Sequence, residues 1–295
     1  MKRKLAVVLL ICISCHMGWA AQDFVWKSGQ NMKVVCDTTE APVVKVALDL
    51  LKRDCRSVLS GNIFRSENTG NIYVGTWGES SVLQALAETR QLDVALLNEH
   101  KEAFLLNVLP DGRLIVAGSD KRGTAYGVLE LSRMMGVSPW EWWADAIPEK
   151  KEELRLPAGF RKLDYPQVAY RGIFINDEDW GLTPWSWKHY EPSERKGQIG
   201  PKTHARIFEL LLRLRANTFW PAMHECSIPF FFTEGNKEMA DKYAIYLGTS
   251  HCEPMMRNTN GEWKTAGRGE YDYVHNRKKC LVFLGGARKA TSSLG

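Results

Sequence analysis

Beyond its first twenty residues the chain has no Cys-x-x-Cys pair, so a zinc-finger type of metal site is not expected. It has no block of Lys or Arg and no RNA-binding signature, and its net charge of +5 is spread over 295 residues, so nothing favours a nucleic-acid partner. The Gly-Lys-Ser/Thr of a P-loop is missing as well. What remains is an ordinary globular composition, 44% hydrophobic and 25% charged, at a length that allows about two domains.

The first twenty residues have the pattern of an export signal. Basic residues at 2–4 precede an apolar run at 5–13, and small residues mark a cleavage site after Ala20. The run is shorter than the roughly 20 residues that a spanning helix needs, so no stable membrane insertion is expected. We therefore predict a signal peptide at 1–20 and a periplasmic or secreted mature protein. In that compartment Cys36 and Cys55 could form a disulfide, although separate buried thiols are favoured in a domain of this size.

Residues 21–148 are predicted to form a small N-terminal α+β domain. The periodicity of apolar residues predicts alternating strands and helices, and the turn at 110–112 predicts a β-hairpin. The strands are expected at 33–36, 71–75, 103–108 and 114–118, and the helices at 42–59, 80–89 and 124–135. The glycine-flanked loop 118–123 is interpreted as a turn and helix cap rather than a phosphate site. The charged, proline-flanked residues 149–165 are predicted to be a linker.

Residues 166–278 are predicted to be the first part of a β/α barrel of the TIM type. Strands are expected at 173–175, 217–223 and 247–250, separated by helices at 201–216 and 237–246. Each strand ends in polar residues, and a β/α barrel gathers the carboxyl ends of its strands at the active-site face. The predicted fold class is therefore α/β, with a truncated barrel of about three strands, and an open doubly wound sheet is the alternative.

The polar strand ends carry the groups that glycoside cleavage requires. That reaction needs one protonated carboxyl group to donate to the leaving oxygen and one carboxylate to activate water or attack the sugar. Asp177 and Glu225 are the predicted catalytic carboxylates. The predicted substrate-binding residues, which offer hydrogen bonds, aromatic stacking or a charged clamp, are Asn176, Glu178, Trp180, Trp220, His224, His251, Glu253 and Arg257.

Other roles stay open for some of these groups. Asp179 is interpreted as a structural carboxylate that pairs with an arginine or binds a neighbouring loop. Trp220 lies inside an apolar segment and could belong to the core. His224 and His251 could bind a metal, but the first strand lacks a His-x-His pair, so neither a metal nor a cofactor is predicted.

Five segments of the sequence carry a resemblance to a known family. They are G-S-D-K-R-G-T-A-Y-G at 118–127, G-V-S-P-W-E-W-W-A-D at 136–145, Y-R-G-I-F-I-N-D-E-D-W-G at 170–181, R-A-N-T-F-W-P-A-M-H at 215–224 and G-T-S-H-C-E-P-M at 248–255. They resemble glycoside hydrolase family 115, the xylan α-1,2-glucuronidases. The resemblance implies a barrel enzyme that removes (4-O-methyl)glucuronic acid side chains from glucuronoxylan with inversion and without a metal, and it places Asp177 in the pocket wall.

The chain departs from this family in length. Family members are much longer, and the resemblance places the general acid and base on later barrel strands that are missing here. Residues 279–295 lose amphipathic character and are predicted to be an aberrant tail, which we attribute to a frameshift in the adenine-rich codons of Lys278 and Lys279. We therefore predict an α-glucuronidase-like glycoside hydrolase that is weakly active or inactive as this chain. A non-catalytic carbohydrate-binding protein is the alternative.

Overall fold

The computed structural model describes residues 20–89, 91–176 and 178–291 of the chain. Residues 1–19 of the predicted signal peptide lie outside this range, so the prediction stands as made. The described residues form a six-stranded sheet, a three-stranded sheet and a separate strand pair. Within the same range, no helix is both long and apolar enough to cross a membrane.

The six-stranded sheet organises the N-terminal part of the molecule. Its strands are β2 (Asn31–Cys36), β3 (Asn62–Ser66), β4 (Ile72–Thr76), β5 (Phe104–Val108), β6 (Leu114–Gly118) and β8 (Arg161–Asp164). Their order is β3-β2-β4-β6-β5-β8. The first four strands in this order are parallel, whereas β5 runs antiparallel to β6 and to β8. The predicted hairpin of β5 and β6 is therefore confirmed.

Helices cover both faces of this sheet and bury its apolar side chains. Successive side chains of a strand point to opposite faces, so Val34 packs in one hydrophobic core and Val35 in the other. The first core is closed by α1 (Pro42–Leu59) and α4 (Lys121–Met134), and the second by α2 (Ser81–Glu88) and α3 (Ala95–Glu99). The sequence predicted the bounds of α1, whose proline at the first helical position is typical of a helix start.

The loop before α4 is a helix cap, as its sequence predicted. The Asp120 carboxylate accepts hydrogen bonds from the backbone N–H groups of Arg122 (2.9 Å) and Gly123 (3.0 Å). A Cβ atom at position 123 would lie 2.1 Å from the carbonyl oxygen of Ala103, so the close approach of the helix to β5 requires glycine there. The glycines of this loop thus serve packing.

The predicted linker at 149–165 is wrong, because this stretch contains two strands. β7 (Glu153–Leu156) pairs antiparallel with β1 (Phe24–Lys27), and β8 extends the six-stranded sheet. Both strands are four residues long and rich in charge, so local sequence shows little strand propensity. Pairing with distant strands decides their structure.

The three-stranded sheet is parallel and follows the predicted strand, helix, strand, helix, strand order. Its strands β9 (Gly172–Phe174), β10 (Thr218–Trp220) and β11 (Tyr246–Leu247) lie in the order β11-β10-β9. The connecting helices are α6 (Pro201–Arg213) and α7 (Asn236–Lys242), and two π-helical turns, Glu178–Leu182 and Ser186–Tyr190, flank the short α5 (Thr183–Trp185) before α6. β9 has three residues, as predicted, whereas β10 and β11 are shorter than predicted. Pro221 follows β10 directly and cannot donate a ladder hydrogen bond, which ends the strand.

Buried charges join the two sheets. The Glu102 carboxylate accepts hydrogen bonds from Arg122 (3.3 Å), Arg171 and Asn217 (2.8 Å), so it connects α4 to β9 and to the start of β10. On the opposite side, the Arg213 guanidinium of α6 donates two hydrogen bonds to Asp54 of α1, at 2.8 and 3.0 Å. These pairs fix α6 against the first core.

The C-terminal segment is helical. The helix α8 spans Arg277–Thr291, and Cys280 and Phe283 pack in a small core with Trp263. Residues 279–291 of the segment predicted to be an aberrant tail are thus helical, and residues 292–295 lie outside the described range. The five cysteines of the described residues are all free, which confirms the preference for separate thiols, and burial raises the pKa of Cys36 to about 12.

Candidate active site

The carboxyl ends of β9, β10 and β11 meet at one edge of the three-stranded sheet. The strands are parallel and adjacent, with Thr218 aligned to Gly172 on one side and to Tyr246 on the other. The polar segments that follow them therefore lie next to each other, as expected for an α/β fold. Asp177 belongs to the first segment but lies outside the described residues, so its predicted catalytic role is untested.

Glu178 is fully buried and holds the loop after β10. Its Oε1 accepts hydrogen bonds from the backbone N–H groups of Met223 and His224, both at 2.7 Å. Its side chain is 0% exposed. This geometry does not allow the predicted contact of Glu178 with substrate. The residue positions the backbone of His224 instead.

Asp179 and His224 form a partly exposed pair beside it. Asp179 Oδ1 lies 2.9 Å from His224 Nδ1, and the Cys226 thiol donates to the same oxygen at 2.7 Å. The hydrogen bonds from Cys226 and then from His224 lower the pKa of Asp179, which keeps this carboxylate ionised. The sequence interpretation of Asp179 as a carboxylate that binds a neighbouring loop is confirmed, whereas Cys226 was not predicted. Its position two residues after His224 was the available signal.

Glu253 lies in a buried position after β11. It is 4% exposed, and its Oε1 accepts a hydrogen bond from Asn258 Nδ2 at 3.0 Å. Burial raises the pKa of the Glu253 carboxyl group, and the negative charge of Glu178 raises it further. The raised pKa favours the protonated form of Glu253, and its burial leaves it little access to a sugar.

Glu225 and Arg257 already have charged partners. Glu225 forms an exposed ion pair with Lys264. Arg257 donates from Nε to Glu262 at 3.0 Å and from Nη1 to the carbonyl oxygen of Phe283 at 2.9 Å. The predicted clamp of Arg257 on an acidic sugar would require these contacts to break.

The remaining predicted residues differ in exposure. Trp180 is 88% exposed, and Asn176 and His251 are exposed as well. Trp220 is 41% exposed and meets Phe174 edge to face, with ring centroids 5.8 Å apart. Gly248 makes room for its indole, since a Cβ atom there would lie 2.0 Å from Trp220 Nε1. Trp220 is thus held in place and still presents a surface.

Three of these side chains are close enough to share a cation. Donor atoms of Glu178, Asp179 and His224 all lie within 4.8 Å of one another, which the sequence analysis did not predict. The other predicted residues do not join this group in the described part of the chain.

Comparisons with known proteins agree with the motifs. The sequence model of Glycosyl hydrolase family 115 matches residues 163–292. The solved structure of BtGH115A, a family GH115 4-O-methyl-α-glucuronidase with specificity for decorated arabinogalactans, shares 60% sequence identity over 88% of this chain, with a TM-score of 0.83. CpGH84D resembles the fold at 14% identity, with a TM-score of 0.53 over 92% of this chain and 40% of its own. No curated protein sequence matches the chain.

The matched motifs and the family model place the chain in a family of glycoside hydrolases. The chain belongs to glycoside hydrolase family 115. It spans 34% of the length of BtGH115A.

Proposed function

We propose that this chain forms the first wall of an α-glucuronidase pocket that binds (4-O-methyl)glucuronic acid side chains of a polysaccharide. The observation that carries the proposal is the meeting of polar side chains from the loops after β9 and β10 at the carboxyl edge of the three-stranded sheet. In a β/α barrel this edge is the active-site face. We accordingly take residues 166–278 as the beginning of such a barrel.

The polysaccharide can be a glucuronoxylan or a decorated arabinogalactan. The family resemblance in the sequence favours glucuronoxylan. The 60% identity to BtGH115A, which has specificity for decorated arabinogalactans, favours the second substrate class. Both carry an acidic sugar at the end of a side chain, so the same pocket chemistry serves either.

Within the pocket, exposed groups contact the sugar and buried groups support them. Trp180, Trp220 and His251 are exposed and offer stacking and hydrogen bonds. Asp177 and Glu225 remain the proposed catalytic carboxylates. Inverting hydrolysis needs two carboxyl groups about 6.5–9.5 Å apart with water between them, and Glu225 must leave Lys264 to take part. We therefore propose weak or no hydrolysis by this chain, in a periplasmic or secreted location.

A non-catalytic carbohydrate-binding protein is the second candidate. The pairing of Glu225 with Lys264 favours it, because a carboxylate neutralised in this way does not activate water. Binding through the exposed tryptophans would not need that carboxylate.

Sugar release and sugar binding by the 295-residue chain distinguish the two candidates. The chain is incubated with 4-O-methylglucuronoxylan and, separately, with decorated arabinogalactan, and released 4-O-methylglucuronic acid is measured by chromatography. We expect saturable binding with slow release that Asp177→Asn abolishes, whereas Asp111→Asn, a change in a distant hairpin turn, has no effect. Binding without release, unchanged by Asp177→Asn, identifies the carbohydrate-binding protein. Absence of binding to both polysaccharides contradicts either proposal.

A further inference from the structure

Two loops bring three metal-binding side chains to one point. Glu178 and Asp179 follow β9, His224 follows β10, and one donor atom of each lies within 4.8 Å of the others. Donors that share an ion at bonds of about 2.0–2.2 Å lie roughly 3–3.5 Å apart. His224 Nδ1 and Asp179 Oδ1 are already 2.9 Å apart, so small side-chain rotations would complete the geometry.

Only one of the two oxygen atoms of the buried Glu178 carboxylate has hydrogen-bond partners among the described residues. Oε1 accepts two backbone hydrogen bonds, whereas Oε2 is buried and has no hydrogen-bond partner among the residues that the structure describes. A buried charged oxygen without a partner is unfavourable. A bound cation would supply the missing partner, and the two backbone bonds to Oε1 fix the carboxylate orientation in the way that outer-shell contacts orient metal ligands.

A second His–Asp pair in the chain shows what is particular to the first. His275 lies next to Asp272 at the surface, where the histidine side chain is 83% exposed. No third donor joins this pair in the described ranges. A His–Asp contact by itself is therefore common to both places, and the buried glutamate distinguishes the first.

We propose that Glu178, Asp179 and His224 bind one divalent transition-metal ion, with Zn²⁺ as the preferred ion. Imidazole nitrogens and carboxylate oxygens are both ligands of Zn²⁺, and three protein ligands are the number found in its open sites. The imidazole of His224 favours Zn²⁺ over Mg²⁺ or Ca²⁺, which prefer oxygen ligands alone. The side chains of Asp179 and His224 are 46% and 39% exposed, which leaves the ion open to water or a sugar hydroxyl. The site does not depend on hydrolysis by this chain.

Calorimetric titration of the metal-free chain with ZnCl₂ tests the proposal. We expect one Zn²⁺ per chain, with MgCl₂ binding at least about tenfold more weakly. His224→Ala and Glu178→Gln should each weaken Zn²⁺ binding by about 10–100-fold or more. His275→Ala removes the histidine of the surface pair and should leave the affinity unchanged.

Co²⁺ substitution gives an independent readout of coordination. Visible absorption bands of bound Co²⁺ should appear with the unmodified chain and with His275→Ala, and should be lost with His224→Ala. Thermal unfolding of each variant without metal checks its folding. If Glu178→Gln does not fold, His224→Ala provides the test, because His224 is partly exposed. Absence of saturable Zn²⁺ binding, or equal affinity in His224→Ala and the unmodified chain, overturns the proposal.

Discussion

The two sheets of this molecule differ in strand length and in what they leave exposed. The strands of the six-stranded sheet are four to six residues long, and every residue of β4 and β6 is buried. The strands of the three-stranded sheet have two or three residues, and Ile173 and Trp220 remain 39% and 41% exposed. The first sheet is covered by helices on both faces and carries most of the buried apolar side chains. The second presents polar strand ends and open aromatic surface, which are the features a binding site needs.

The largest effect is expected where the two parts are joined by buried charge. Arg213 and Asp54 are 4% and 2% exposed, so Arg213→Ala leaves a buried carboxylate with only the longer contact to Arg53, at 3.7 Å. We expect a loss of about 3–5 kcal/mol in the free energy of unfolding, measured by urea denaturation.

The matched control is Arg155→Ala, which removes two ion pairs, with Asp23 and Glu153, of an arginine that is 50% exposed. That change should cost much less stability, because solvent screens exposed ion pairs. Equal losses in the two variants would contradict the importance of the buried junction.

Low pH should lower the stability of the part of the molecule built on the six-stranded sheet, because it protonates Glu130 of α4. Burial raises the pKa of this carboxyl group, but hydrogen bonds from Arg133, Lys162 and Arg215 outweigh burial and lower the pKa from 4.5 to about 2. Because the folded-state pKa is depressed, the stabilisation is complete above pH 4.5 and is lost as the pH falls toward 2. We expect it to be on the order of 3 kcal/mol. Glu130→Gln should remove this pH dependence in urea denaturation series, and an unchanged acid limb would refute the assignment.

A single added methyl group should destabilise the three-stranded sheet without affecting the six-stranded sheet. A Cβ atom at position 172 would lie 1.8 Å from the carbonyl oxygen of Thr218, so Gly172→Ala pushes β9 away from β10. We expect a loss of about 2–3 kcal/mol, the usual cost of overpacking. Hydrogen exchange should show faster opening at 172–174 and 218–220, with the six-stranded sheet still protected.

Gly181→Ala serves as the control for that change. No heavy atom lies within 4 Å of a Cβ built at this glycine, so its replacement should be nearly neutral. Loss of protection throughout the six-stranded sheet in Gly172→Ala would show that the two sheets are a single cooperative unit.

The smallest effect concerns Glu253, whose pH dependence has the opposite sign to that of Glu130. Burial raises its folded-state pKa, so folding is penalised as the pH rises above 4.5, where the unfolded chain ionises. Glu253→Gln imitates the protonated carboxyl group and keeps an oxygen for Asn258. It should stabilise the chain at pH 7 and have no effect at pH 3. Melting curves at the two pH values test this prediction, and Glu225→Gln, a change at an exposed position, is the control. A Glu253→Gln variant that is less stable than the unmodified chain at pH 7 would contradict the prediction.

Sequence patterns predicted the long, periodic elements and missed those that distant pairing determines. The helix α1 and the β5–β6 hairpin carry local signals, a regular apolar spacing and a Pro-Asp-Gly turn, and both were predicted. The charged strands β7 and β8 carry no such signal, because their partners β1 and β5 lie far away in the sequence.

The candidate site was predicted as a set of residue types, without their burial. Sequence placed Glu178 and Glu253 at strand ends, and the structure places both there. Whether a polar side chain faces a sugar or the loop behind it depends on loop geometry that the chain acquires only on folding. The closeness of Cys226 to Asp179 belongs to the same kind of information.

Hydrogen exchange with and without a 4-O-methylglucuronic acid oligosaccharide tests the central claim, that the polar ends of the three-stranded sheet hold the sugar. We expect slower exchange in the segments after β9, β10 and β11, near 175–182, 221–227 and 248–258, and unchanged exchange in the six-stranded sheet. Protection confined to the six-stranded sheet, or none anywhere at saturating oligosaccharide, would contradict it.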